Sequence, residues 1–109
     1  LLGRDASMFT RALAYATLDY TPDLDAIIER HAKGWAVDRI SPLELAIMRV
    51  ALLEMLHPDA APSDVPISPE GAIDEAVETT KTYCGADAPG FVNGVLGAAL
   101  RSMQENPAS

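Results

Sequence analysis

Apolar side chains recur at intervals of three and four along almost the whole chain, the spacing of one buried face on a helix. Over residues 6–19, running on to Tyr20, the stripe is Phe9, Ala12, Leu13, Ala16 and Tyr20, with Arg4, Arg11 and Asp19 on the opposite side. Thr21-Pro22 then restarts the chain as an N-cap followed by proline at the first helical position, and Asp23 and Asp25 suit the positive end of the backbone dipole. Leu24, Ile27, Ile28 and His31 form the second stripe, which Gly34 ends. Trp35, Val37 and Ile40 predict a short apolar connector packed onto the other helices.

Ser41-Pro42-Leu43-Glu44 is a complete helix start: a serine cap, a proline that needs no amide hydrogen, and a glutamate placed to bond back to the cap amide. The helix it opens runs to about His57. Its three charges, Glu44, Arg49 and Glu54, step round the axis by five residues, so it has no broad polar face and is expected to be the central, most buried helix. Arg49, mid-helix on that element, is expected to be partly buried and paired with a carboxylate from another helix.

Residues 57–64 read as a loop, and Ser68-Pro69 repeats the cap-plus-proline signal. Ala72, Ile73, Ala76, Val77 and Thr80 give the next stripe, facing away from Glu70, Asp74, Glu75, Glu78 and Lys81, and Gly85 stops the helix. From about Ala88 a last helix carries Phe91, Val92, Val95, Leu96, Ala99, Leu100 and Met103 on one side. Gly94, Gly97 and Ala98 form a smooth strip on the other, where a second backbone has room to approach. Five helices, short connections and no strand pattern predict an all-α bundle.

The chain has 109 residues, 49% hydrophobic and 22% charged, enough for one domain over residues 1–109, with a polar tail at 104–109 that contains Pro107. A net charge of -8 makes it a poor non-specific ligand for phosphate backbones or anionic lipid. The single cysteine, Cys84, closes no disulfide within the chain, and neither a signal peptide nor a membrane span is recognisable, which predicts a cytoplasmic protein. The chain begins Leu1-Leu2-Gly3 rather than with methionine, as a fragment does.

Candidate chemistry is sparse. The two histidines, His31 and His57, each fall near the C-terminal end of a predicted helix, where the dipole favours imidazolium; they read as caps rather than catalysts. Two distant histidines and one cysteine make no metal-ligand pattern, Cys84 reads as a small, partly buried apolar residue, and Asp74, Glu75 and Glu78 read as a solvated face. Gly94 and Gly97 lie inside a helical stripe, not after a strand, so no phosphate loop is present. Neither catalytic residues, metal nor cofactor are expected.

Five blocks carry a resemblance: Asp38-Arg39-Ile40-Ser41-Pro42-Leu43-Glu44, Arg49-Val50-Ala51-Leu52-Leu53-Glu54-Met55-Leu56, Asp64-Val65-Pro66, Ile73-Asp74-Glu75-Ala76-Val77-Glu78 and Phe91-Val92-Asn93-Gly94-Val95-Leu96. In this order and spacing, from about Phe9 to Met103, they resemble the landmarks of the transcription antitermination factor NusB family. The resemblance implies an all-helical fold and a non-enzymatic adaptor. Such an adaptor pairs with NusE, a small-subunit ribosomal protein, and binds the boxA element of nascent ribosomal RNA to keep RNA polymerase processive. By position, Asp87 and Phe91 match the RNA-facing side and Glu44 the RNA and partner surface. Each also has a structural reading: Phe91 opens the apolar stripe, Asp87 is placed to cap the last helix, and Glu44 belongs to the capping box.

The resemblance also implies an N-terminal helix opened by an arginine-rich stretch, to which Arg4 and Arg11 are no counterpart. Its loss would uncover apolar surface, expected to be filled by a second copy in a two-fold dimer, and would leave RNA binding weak. Similar bundles serve as RNA-binding accessory domains of ribosomal RNA cytosine methyltransferases, against which the polar tail argues. A self-associating scaffold without RNA is the third reading.

Overall fold

In the computed structural model, which describes residues 21–56 and 68–105, four helices follow one another. They are α1 (Thr21–His31), α2 (Pro42–Leu56), α3 (Pro69–Tyr83) and α4 (Ala88–Glu105), with a 3-10 turn, Val37–Arg39, between α1 and α2. No strand occurs among the described residues, in agreement with the all-α expectation. The helix predicted over residues 6–19, the loop over 57–64, His57 and the tail from 106 lie outside the described residues.

Both serine caps form. Ser68 Oγ accepts from the Gly71 amide at 3.0 Å, and its carbonyl accepts from Ala72 at 2.9 Å. Ser41 Oγ accepts from the Glu44 amide at 3.2 Å, but the expected return bond from the Glu44 carboxylate to the cap amide is replaced. The Ser41 hydroxyl instead donates to Glu44 Oε2 at 2.8 Å. With its oxygen taken by the Glu44 amide, the hydroxyl proton is free to make a charge-assisted bond, the stronger kind.

The start of α1 differs slightly from the prediction: Thr21 is already helical, so Pro22 sits within the first turn. Its end is a left-handed turn, with φ of 46° at Lys33 and 92° at Gly34. A Cβ on Gly34 would meet nothing within 4 Å, so backbone conformation rather than crowding favours glycine there.

Helix α2 is the centre of the bundle and packs against α1, α3 and α4. Eight of its fifteen residues are buried. Ile28 of α1, Met48 and Leu52 of α2, Ala76 of α3, and Val92 and Leu96 of α4 meet in the fully buried core. Arg49 emerges from this helix to a carboxylate of α1, as expected: Nε bonds Asp25 Oδ1 at 2.7 Å and Nη2 bonds Oδ2 at 2.8 Å.

Two expectations need correction. Glu75 is only 8% exposed and belongs to the buried side of α3, together with Thr79. It stands three residues from Ala72 and four from Thr79, so it shares their row on the helix. The connector divides: Ile40 is buried in the core, whereas Trp35, just after the left-handed turn, is 52% exposed. Along the smooth strip of α4, among the described residues, a Cβ on Gly94 meets nothing within 4 Å and one on Gly97 meets only Arg101 Nη1, at 3.5 Å.

Candidate functional site

The Ser41 cap aims the first turn of α2 at the turn that joins α3 to α4. Helix α3 ends at Tyr83, with Cys84 in extended conformation, and Gly85 accepts from the Ala88 amide at 3.1 Å as the chain reverses. Asp87 then starts α4 through its backbone, its carbonyl accepting from the Phe91 amide at 3.2 Å. Between these two helix starts and the connector lies a cleft of about 470 Å³.

All three site residues singled out in the sequence line this one cleft: Glu44 from α2, Asp87 from the turn, and Phe91 from the first turn of α4. Phe91 packs against the buried core while remaining partly exposed. Trp35 and Arg39, which the sequence reading assigned no function, line the same cleft. The Trp35 ring meets Phe91 edge to face, with centroids 6.4 Å apart and planes at 69°. That geometry is the favourable one for two aromatic quadrupoles, and it braces the half-exposed Trp35 ring. The available signal was position: the sole tryptophan lies in a connector between a glycine turn and a capped helix, and exposed connectors carry function more often than cores do.

The cleft holds two carboxylates and one guanidinium. Arg39 is exposed and forms no ion pair among the described residues. Burial pushes the Cys84 thiol up, and the Glu44 carboxylate adds to the shift, so the thiol stays protonated and a poor nucleophile at neutral pH. Cys84 is partly buried against the core, in keeping with its reading as a small apolar residue. His31 departs from its expectation. Burial lowers its pKa below 6.5, and Arg30 and Arg101 add to this, so the neutral imidazole is favoured in spite of the dipole. Among the described residues no group of three His, Cys, Asp or Glu side chains could hold a metal ion, and no helix is long and apolar enough to cross a membrane.

The five landmark blocks fall within a larger match, because a model of the NusB family fits residues 2–101. The chain belongs to the NusB family. Similar NusB-family proteins include the transcription antitermination protein NusB of Symbiobacterium thermophilum, 35% identical over 103 residues, covering 94% of this chain and 63% of the relative. The protein of the same name from Acetivibrio thermocellus is 43% identical over 79 residues, 72% of this chain and 50% of the relative. That of Halalkalibacterium halodurans is 36% identical over 102 residues, 94% of this chain and 72% of the relative. The chain thus spans 63% and 50% of the length of the first two of these NusB proteins.

Proposed function

We propose that this NusB-family chain is a transcription antitermination adaptor that catalyses no reaction. It pairs with NusE, holds boxA RNA of nascent ribosomal RNA transcripts, and through them acts on RNA polymerase in the cytoplasm. The observation that carries the reading is the convergence of Glu44, Asp87 and Phe91 on one cleft, beside an exposed tryptophan and an exposed arginine. Single-stranded RNA is held by stacking on aromatic rings and by polar contacts to base edges, and such a lining supplies both. The relatives' name, transcription antitermination protein, favours this over a methyltransferase accessory domain.

Titration calorimetry of NusE into this chain tests the partner half of the proposal. Saturable heat is expected, reduced by Glu44→Lys, which reverses a charge at the first turn of α2. Heat equal to that of dilution, where a full-length NusB gives binding, would overturn the pairing.

A further inference from the structure

Resting on the RNA-binding reading above, we propose that the cleft selects one base. It takes an unpaired guanine of single-stranded RNA stacked on Trp35, with the Glu44 carboxylate on the N1–H and N2–H donors and Arg39 on the O6 and N7 acceptors.

The charge of the lining points away from phosphate as the bound group. Glu44 and Asp87 outnumber Arg39, so an anion entering the cleft meets net repulsion, whereas N–H donors are attracted. Glu44 is also held in place. Its Oε2 accepts from the Ser41 hydroxyl at 2.8 Å, while that hydroxyl is fixed by the Glu44 amide. A carboxylate accepts about four hydrogen bonds, so this one retains acceptor capacity in a set orientation. The Trp35 ring, half-exposed and braced by Phe91, supplies the stacking surface.

Matching these groups to the four bases leaves one. Adenine places its amino donor beside the N1 acceptor, and cytosine places its amino donor beside N3, so each sets a lone pair against a carboxylate. Uracil has a single N3–H between two carbonyls. Guanine alone presents two adjacent donors, N1–H and the N2 amino group, and its other edge carries O6 and N7, the pair that an arginine fork recognises. A lysine or arginine side chain from a protein would also suit the carboxylates and the tryptophan face, but it would leave the Arg39 guanidinium without the acceptor pair that guanine offers it.

The test uses the one indole signal of the chain, because Trp35 is its sole tryptophan. The 15N-labelled chain is titrated with uridine pentamers whose central residue is guanosine, adenosine, cytidine or uridine, and the Trp35 Nε1–H resonance is followed. The guanosine pentamer is expected to half-saturate the shift at about tenfold lower concentration than the adenosine pentamer, the discrimination of one good bidentate base contact. Glu44→Gln is expected to bring the two within about twofold while the indole resonance still moves, since stacking is indifferent to the base. If Glu44→Gln fails to fold, Arg39→Met at an exposed position carries the same comparison. Equal shifts with all four pentamers would overturn the guanine assignment. So would an indole that answers an arginine-rich peptide but no RNA. Binding of labelled pentamers by anisotropy with a silent indole would overturn this inference and leave the RNA reading standing; binding by neither measure would overturn both.

Discussion

Arg49 and Asp25 meet through two parallel hydrogen bonds, a fork-to-carboxylate pair that ties the central helix α2 to α1 across 24 positions of sequence. The side chains are 32% and 23% exposed, so the pair is neither a surface ion pair nor a fully desolvated one. Arg49→Met leaves Asp25 without its partner and is expected to destabilise the fold by about 1.5–3 kcal/mol, the range for hydrogen bonds to charged groups. Urea unfolding monitored by circular dichroism measures this directly. An unchanged midpoint would mean that Arg49 contributes only the packing of its aliphatic stem.

His31 gives the fold a pH dependence of defined sign. Its folded-state pKa lies below 6.5 because of burial and the nearby Arg30 and Arg101 guanidinium groups, so the unfolded chain takes up a proton first. The stability contributed by the neutral imidazole is therefore complete above about pH 6.5, the ordinary histidine value, and is lost as the pH falls through the folded value. Comparing urea midpoints at neutral and mildly acid pH, the loss on acidification is expected to be smaller in His31→Gln than in the unaltered chain. Equal losses would place the proton uptake on other groups.

The Ser68 cap gives a local test of how α3 begins. Ser68→Ala removes the acceptor of the Gly71 amide and is expected to cost about 1 kcal/mol, whereas Ser68→Asp, which retains an acceptor, should cost less. For a domain of this size that cost lowers the midpoint of thermal unfolding by about 4–8 °C. A midpoint unchanged in Ser68→Ala would show that α3 is held by packing alone.

Much of this fold is legible locally because its signals are local. A serine followed by proline marks α2 and α3, apolar spacing marks the buried face of each helix, and the lack of a polar side marks α2 as central. Arg49 was legible for the same reason: a charge on a helix without a polar face needs a partner, although nothing in the sequence singles out Asp25. Glu75 was misread because a helix of mixed character has flanks. A stripe drawn through Ala72, Ile73 and Ala76 leaves Glu75 outside, while the packing of α3 against α2 and α4 takes in the row that contains it. The cleft could not be seen as a whole, since Trp35 and Arg39 are separated from Asp87 and Phe91 by about half the chain and meet only when α4 folds back.

The central claim is that the cleft of Trp35, Glu44 and Phe91 is the surface that holds RNA. Fluorescence anisotropy of labelled boxA RNA, titrated in the presence of NusE with the unaltered chain and with Trp35→Ala, tests it most directly. Stacking of one base contributes about 1–3 kcal/mol, so Trp35→Ala is expected to weaken binding about tenfold. Because no phosphate contact is removed, the dependence of affinity on salt should keep its slope. RNA binding of equal strength by the two proteins would contradict the account and place the RNA elsewhere on the chain.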